Sequence, residues 1–267
     1  MRSLVLFWLA FGTMLGEAER VGSVEFYGYD GIDIEKVRSR LHLKPGQTIT
    51  DDALNRVEED LGRDDAIVSV VCCDIKRRSI IFIGLSSTEI VHNAAPEADV
   101  RLAPELADLP PVLTPPMQAR LREYVLENEP NLQSVLKESM YEDARTMAAV
   151  ALGFGRPSPA LVLILATAAS DRDEAVRAQA MRALATLLRT DPKLAIGVSI
   201  ATFLDLLNSP NVSDRINGSV VLAEMSDPET LAAIKAGGLS SLKEMAHWRS
   251  DAHAAAARTI LARIETH

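Results

Sequence analysis

Three short stretches in the first third of the chain are rich in β-branched and aromatic residues, and apolar and polar residues alternate in the first of them. Val21–Tyr27 has the sequence VGSVEFY, residues 66–73 have AIVSVVCC, and residues 79–85 have SIIFIGL. A period of two in segments rich in Val, Ile and Phe is typical of β-strands. The charged segment 74–78 separates the last two stretches. We therefore expect one strand, followed later in the chain by a pair of strands that form a hairpin.

Two helical segments are predicted between the first strand and the hairpin. Asp33 precedes apolar residues at helical spacing, and the sequence KPG at 44–46 ends this first helix. Thr50 precedes a second helix over residues 51–61, in which apolar residues recur at i, i+3 and i+7. Asp and Thr are favoured helix N-caps because their side-chain oxygen accepts a hydrogen bond from an unpaired backbone amide. The predicted order is β-α-α-β-β.

Two short motifs in this segment are distinctive. Residues 24–26 (VEF) are followed by Gly28, and residues 41–47 have the sequence LHLKPGQ. With them, residues 19–85 resemble a POTRA domain, the small module of outer-membrane assembly and secretion proteins. The chain departs from the family just before the second strand, where residues 61–65 have the sequence LGRDD in place of the Gly and aromatic residue that the family often carries. The resemblance implies an exposed strand edge that pairs with a partner in the cell envelope. A generic small α/β domain without that role is the alternative, because a fold alone does not fix a function.

From residue 117 onward the alternation stops and helical segments begin, separated by Asn, Asp, Pro, Ser and Gly. One frame recurs among them. An Arg or His is followed by Ala or Gly three positions later and by Leu or Ile seven positions later. The frame begins at Arg145, Arg177, Arg215 and His253, at intervals of 32, 38 and 38 residues. Such intervals are typical of helical repeat proteins.

This frame resembles the second helix of HEAT repeats, and residues 236–245 (AGGLSSLKEM) resemble the opening of an armadillo repeat. The resemblance implies that residues 117–267 form an all-α solenoid of HEAT/armadillo-like repeats, with about four helix pairs across residues 132–265. The predicted fold class is thus a small α+β domain followed by an α-solenoid. An irregular helical bundle with an Ala-rich core is the alternative.

In a helical solenoid, the second helices usually line a concave binding surface. Polar and aromatic residues in or beside them are the candidates for contact with a partner: Arg182, Arg258, Arg177, Arg215, His253 and Trp248. We expect Arg182 and Arg258 to contact the partner. For Arg177 and Arg215 we favour a structural tie between adjacent repeats through an acidic residue. Trp248 either anchors a partner as an exposed aromatic residue or closes the end of a core.

Prolines concentrate between the two predicted domains. Six of the 13 prolines lie between Pro96 and Pro116, which predicts a linker over residues 86–116. Pro-Pro pairs favour an extended, semi-rigid chain and exclude a helix interior. We expect a solvated spacer. The alternative is an ordered strap that packs across the helices, because Val112 and Leu113 interrupt the prolines.

The first residues predict export. Arg2 precedes an apolar run over residues 4–15, and small residues at Gly16 and Ala18 predict a signal peptide over residues 1–18, cleaved after Ala18. The run of 12 residues is shorter than the ~20 that a bilayer-spanning helix needs. An uncleaved anchor and a buried first helix are the alternatives. We therefore expect a periplasmic or extracellular protein.

Composition and charge narrow the function. Hydrophobic residues make up 48% of the chain, enough for a buried core, and the net charge of −9 repels phosphate backbones, so we expect no nucleic-acid partner. Cys72 and Cys73 are adjacent in a predicted strand, so their side chains should point to opposite faces as small, half-buried hydrophobic groups. An intermolecular disulfide is the alternative. The histidines show no metal-ligand spacing with these cysteines, so we expect no metal and no cofactor.

The chain contains no phosphate-binding loop, no nucleophile elbow and no zinc-protease helix motif, so we expect no enzyme. The sequence predicts an exported, non-enzymatic protein-interaction scaffold that binds a protein or peptide with the concave face of its helices. The alternative is a chaperone-like or structural component of outer-membrane or cell-envelope assembly that acts through the POTRA-like domain.

Overall fold

The computed structural model describes residues 19–29, 31–62, 66–74, 76–85, 90–107, 109–110, 113–225 and 227–266. The predicted signal peptide over residues 1–18 lies outside this part of the chain. By contacts the chain divides into two compact units, which we describe separately. Unit 1 contains the described residues of Met1–Glu89 together with Asn208–Val212 and Ala236–Thr266, and unit 2 contains Ile90–Leu207 and Ser213–Lys235.

The N-terminal part of unit 1 has the predicted order β-α-α-β-β. Its elements are β1 (Val21–Tyr27), α1 (Ile34–Arg40), α2 (Asp51–Leu61), β2 (Ile67–Val71) and β3 (Ser79–Gly84). The strands form one sheet in the order β1-β3-β2, with β1 parallel and β2 antiparallel to β3. Both predicted N-caps are confirmed, since Asp33 accepts a hydrogen bond from the Lys36 amide and Thr50 accepts one from the Ala53 amide.

The rest of the described chain is mostly helical, as predicted. Its helices are α3 (Pro104–Ala107), α4 (Pro115–Glu138), α5 (Glu142–Leu152), α6 (Pro159–Ala168), α7 (Glu174–Thr190), α8 (Ile200–Leu207), α9 (Val212–Glu224), α10 (Pro228–Gly237), α11 (Leu239–Ala246) and α12 (Asp251–Thr266), with a 3-10 turn at Pro192–Ala195. Helix α4 is the longest of them and contains Pro130 in its interior.

The sheet of unit 1 is covered on both faces, and every residue of β3 is buried. On one face, Phe26, Ile81 and Ile83 pack in a core with residues of α2 such as Leu54. On the other face, the Phe82 ring lies edge-on to the Trp248 indole, with the ring centroids 4.8 Å apart. Helices α11 and α12, predicted to close the repeat domain, therefore belong by contact to the unit that contains the sheet.

The Pro-rich segment is ordered over residues 90–107, which we call the strap. The Asn93 amide donates to the Ser170 carbonyl at 2.7 Å, and the Ala98 carbonyl accepts from the Met140 amide at 2.8 Å. Ala98 also forms a parallel β-bridge with Ser139. The prediction of a solvated spacer is wrong for these residues, and the alternative of an ordered strap agrees with them. The strap therefore pairs its backbone with the segments that follow α6 and α4.

Candidate interaction surfaces

Two arginines of the recurring frame have the same environment in unit 2. Arg145 and Arg177 each occupy the fourth position of their helix, α5 and α7. The Arg145 guanidinium donates twice to Asp171, both at 2.9 Å, and once to the Ser139 carbonyl. The Arg177 guanidinium donates twice to Asp214, at 2.9 and 3.0 Å, and once to the Asp171 carbonyl. Arg177 therefore forms the acidic tie that the sequence favoured.

Burial removes two candidates from the surface. The side chains of Arg177 and Arg215 are 4% and 1% exposed, so neither reaches a partner in this structure. A bidentate arginine–carboxylate pair that is shielded from water holds its two elements in a fixed geometry. Contact with a partner, which the sequence left open for both residues, does not fit this burial.

Trp248 closes a core and is not an exposed anchor. Its side chain is 2% exposed, and its indole Nε1 donates to the Phe26 carbonyl of β1 at 2.9 Å. The indole thereby covers Phe82 and satisfies a backbone group of the sheet at the same time. This burial rules out the exposed-anchor interpretation and agrees with the alternative that Trp248 closes the end of a core.

His253 and Arg258 of α12 also have structural partners. The His253 imidazole lies edge-on to Phe82 at 5.7 Å and forms a hydrogen bond with the Ser250 hydroxyl, and burial lowers the pKa of His253. The exposed Arg258 donates to the carbonyls of Ala246 and Trp248 and to the Asp251 carboxylate. Arg258 therefore stabilises the turn between α11 and α12. These hydrogen bonds use three of its donors and leave few for a partner.

Arg182 has a different environment from these residues. It lies on α7, its side chain is exposed, and its Nε donates to the Asn217 side chain of α9 at a long 3.4 Å. One helical turn from it is Thr186, and then Arg189, which pairs with Glu224 of α9 at 3.0 Å. Desolvation lowers the pKa of Arg182, although its side chain is exposed.

We call the surface formed by Arg182, Thr186, Arg189, Asn217 and Glu224 the α7–α9 face. All five residues belong to unit 2. The Arg182 guanidinium donates to a neutral side-chain amide. The guanidinium groups of Arg145, Arg177 and Arg189 pair with carboxylates. The α7–α9 face thus offers a cation with unused hydrogen-bond donors, which suits a carboxylate or carbonyl of a partner.

The two outer edges of the small sheet differ. The outer edge of β1 is covered, because the Val21 carbonyl accepts from the Gly46 amide, the Val24 carbonyl from Arg38 and the Phe26 carbonyl from Trp248. Strand β2 is half-exposed along its length, and Ile67 is 38% exposed. Within the described part of the chain, no residue outside the sheet hydrogen-bonds to residues 67–71. We call this open side of the strand the β2 edge.

The cysteines form a disulfide with each other, contrary to the prediction of two separate hydrophobic groups. The reason lies in the register of the hairpin. Val71 pairs with Ile80, but the Asp74 amide donates to the Arg78 carbonyl, so Cys72 and Cys73 together oppose Ser79. Two residues opposite one form a β-bulge, which ends the regular alternation of side chains. The bond also leaves neither sulfur for the intermolecular disulfide that was the alternative.

Two surface depressions lie in unit 1, with volumes of about 230 and 290 Å³. The first is lined by Tyr29, Lys243, Glu244 and His247, and its Glu244 carboxylate accepts from the amides of Gly28 and Tyr29. Both are smaller than the ~300–1,000 Å³ that is usual for small-molecule sites. Among the described residues, no three or more His, Cys, Asp or Glu side chains are placed to hold a metal ion.

No helix in the described part of the chain has the length and apolar character needed to cross a membrane. Comparison of the chain with protein-family models, with curated proteins and with solved structures finds no match.

Proposed function

We propose that this protein is a non-enzymatic interaction scaffold and that its α7–α9 face binds an acidic segment of a protein or peptide. The observation that carries the proposal is the state of Arg182, which is exposed, desolvated and held by a neutral side chain. A guanidinium in this state gains from a carboxylate partner, because charge-assisted bidentate hydrogen bonds are among the strongest in proteins.

The proposal includes a HEAT/armadillo-like solenoid for the helical region. It is supported by the matched environments of Arg145 and Arg177, which both donate to a carboxylate further along the chain and to a carbonyl six residues earlier. In such an array the second helices, here α5, α7 and α9, line the concave surface. The desolvation of the exposed Arg182 is in keeping with that position.

We also propose that the protein is exported to the periplasm or the cell exterior. The support is the signal-like sequence of residues 1–18 and the Cys72–Cys73 disulfide, since disulfides persist in oxidising compartments. A fusion of residues 1–30 to a reporter that is active only after export tests this part. Replacement of the apolar run over residues 4–15 by polar residues should abolish the reporter signal.

The binding proposal is tested with a displayed library of random peptides, selected on the full chain. We expect the selected peptides to carry Asp or Glu, and their affinity is then measured by fluorescence anisotropy. Arg182→Glu should weaken binding by about tenfold to a hundredfold, since a hydrogen bond to a charged group contributes ~1.5–3 kcal/mol.

The matched control is Arg122→Glu, which makes the same charge change at an exposed position of α4. It should leave the affinity within about twofold. Selected peptides without acidic residues, or equal losses in both variants, would show that the α7–α9 face is not the binding surface.

A second candidate function rests on the β2 edge. As a POTRA-like domain, residues 19–85 would act in a chaperone-like or structural role in outer-membrane or cell-envelope assembly. The specific support is that β1 has a covered edge whereas β2 has none among the described residues, and that β2 carries no charged residue or proline. An edge without such protection is a template for pairing with an extended chain.

A labelled extended peptide of alternating apolar and polar residues, the pattern of outer-membrane strands, is the probe for this second function. Binding should be lost when alternate peptide amides are N-methylated, because main-chain hydrogen bonds supply the affinity of strand addition. Ile67→Lys should weaken binding, whereas Leu126→Lys, at an exposed apolar position of α4, should not. Binding that survives N-methylation would exclude strand addition.

A further inference from the structure

We infer that the Cys72–Cys73 disulfide is a site of thiol–disulfide exchange, at which a dithiol reductant acts on the folded protein. The inference is independent of the proposed function. It rests on three observations. Both cysteines of the chain are in this bond, Cys72 is exposed and Cys73 is half-buried, and the bond directly follows β2, whose edge no described residue outside the sheet covers.

Accessibility is the first requirement for exchange, because the attacking thiolate must approach one sulfur along the disulfide axis. Cys72 is exposed and Cys73 is half-buried. A disulfide that only stabilises a core is normally shielded, and it closes a long loop of chain. Since this bond joins neighbours, it removes little entropy from the unfolded chain, so a stabilising role does not account for it.

The position within the hairpin is the second requirement. Cys72 and Cys73 lie between the last regular pair, Val71 with Ile80, and the hydrogen bond from the Asp74 amide to the Arg78 carbonyl. Asp74 secures the turn on its own, because its carboxylate accepts from the amides of Lys76 and Arg78 and from the Arg78 guanidinium. These hydrogen bonds stabilise the hairpin without the disulfide, so we expect the hairpin to stay folded when the disulfide opens.

The surrounding charge favours the reaction. The turn after the disulfide contains the exposed Lys76 and Arg77. Cations near a cysteine stabilise the thiolate form, which is both the leaving group and the nucleophile in exchange. Among the described residues of this turn, Lys76, Arg77 and Arg78 are cationic, and the one carboxylate, Asp74, pairs with Arg78.

The reaction proceeds in two balanced steps. A thiolate of the reductant attacks the Cys72 sulfur, a bond forms between these two sulfurs, and the Cys72–Cys73 bond breaks so that Cys73 leaves as a thiolate and takes up a proton. The second thiol of the reductant then attacks its own sulfur in the mixed disulfide and releases Cys72 as a thiolate, which is also protonated. The reductant becomes a cyclic disulfide, and two electrons and two protons pass to the protein.

The consequence for the structure lies at the end of β2. The disulfide holds two residues opposite Ser79 and so ends the regular strand at Val71. When the bond opens, Cys72 and Cys73 are no longer tied side by side. We infer that the backbone at the end of the β2 edge then becomes more mobile, whereas the pairing of residues 67–71 with β3 persists.

The test uses the full chain purified without reductant. Alkylation with iodoacetamide, followed by mass spectrometry, should label no cysteine before treatment and both cysteines after dithiothreitol, with the circular dichroism unchanged. Phenylarsine oxide, which bridges two neighbouring thiols, should bind one equivalent per reduced chain. A thioredoxin-class protein whose second thiol is replaced by serine should form a covalent complex through Cys72.

Hydrogen exchange reports the structural consequence. Reduction should accelerate exchange of the amides of residues 71–74 in the wild type, and dithiothreitol should change nothing in the double variant Cys72→Ser/Cys73→Ser, which also forms no covalent complex. The inference is overturned by free thiols in the untreated protein, by disulfide-linked dimers, or by a bond that is reduced only after the protein is unfolded in denaturant.

Discussion

The same position of the recurring frame is filled by different chemistry in the two units. In unit 2, Arg177 is buried and pairs with Asp214 of α9. In unit 1, the equivalent His253 is a half-buried imidazole that packs against Phe82 of the sheet and bonds to Ser250. The first residue of the recurring frame therefore forms an ion pair in unit 2 and a ring contact in unit 1.

The neighbour of the helix explains the difference. The side chain of Arg177 meets the start of α9, where Asp214 provides a carboxylate. The side chain at position 253 meets the centre of a sheet, where Phe82 provides an aromatic ring. A guanidinium without a carboxylate in such a place would be a buried, unpaired charge, which proteins avoid. The frame thus predicts where a helix packs, and the partner surface decides which side chain is tolerated.

The largest expected effect is loss of the ion pair in unit 2. Arg177→Ala removes the guanidinium that pairs with the buried Asp214 carboxylate. We expect the free energy of unfolding to fall by about 3–5 kcal/mol. Urea unfolding followed by circular dichroism measures the loss, and hydrogen exchange of α7 and α9 shows where the protein opens.

Arg189→Ala is the matched control, since Arg189 makes an exposed pair with Glu224 from the same helix. It should cost ~0–1 kcal/mol, as solvent-exposed pairs do. Similar losses in the two variants would contradict the distinction between buried and exposed pairs. The double variant Arg177→Met/Asp214→Leu should recover much of the loss, because it removes both charges.

A smaller effect is expected from Trp248→Phe in unit 1. Phenylalanine retains an aromatic ring beside Phe82 but cannot donate to the Phe26 carbonyl. An unsatisfied buried acceptor costs about 1–3 kcal/mol, so the variant should be destabilised within that range. Differential scanning calorimetry measures the effect. A variant as stable as the wild type would show that the indole hydrogen bond contributes nothing net.

The smallest effect concerns the pH dependence of stability in unit 1, where the first residue of the frame is the imidazole of His253. Burial holds the pKa of His253 below its ordinary value, so the folded state favours the neutral ring. The stability that this provides is complete above the unfolded pKa of about 6.5 and is lost as the pH falls from there toward the folded pKa.

Unfolding followed by the fluorescence of Trp248 at several pH values measures this dependence. His253→Asn should reduce the loss of stability on acidification, because asparagine does not titrate. His92 of the strap, whose pKa is also lowered by burial and by Arg177, should keep its own acid dependence in unit 2. An unchanged pH profile in the His253 variant would assign the dependence to other groups.

Local patterns predicted much of the fold. Stretches rich in Val, Ile and Phe predicted the three strands, and Asp33 and Thr50 predicted helix starts, because these signals depend on residues close in sequence. The acidic tie of Arg177 was favoured from its place at a helix start.

What failed depends on contacts between residues distant in sequence. The burial of Trp248 requires knowledge that α11 and α12 lie against β1 and β3, more than 150 residues earlier in the chain. The disulfide requires the register of the hairpin, which a single extra residue shifts. The order of the strap depends on hydrogen bonds with Ser170, Glu138 and Met140. No pattern within residues 90–107 reveals these partners. Of the six predicted surface residues, Arg182 and Arg258 are exposed, and Arg182 makes fewer hydrogen bonds within the described chain than Arg258 does.

The strap also bears on how such a protein can change in evolution. Asn93 contacts the turn after α6, and Ala98, five residues later, contacts the turn after α4. Five extended residues reach at most ~18 Å, so Asn93 and Ala98 can lie no further apart than that while both keep their hydrogen bonds. A gene duplication that inserted another helix pair between them would pull Asn93 and Ala98 out of reach of their acceptors. The strap therefore limits how far apart these two turns can lie, and an insertion of helices between them requires a longer strap.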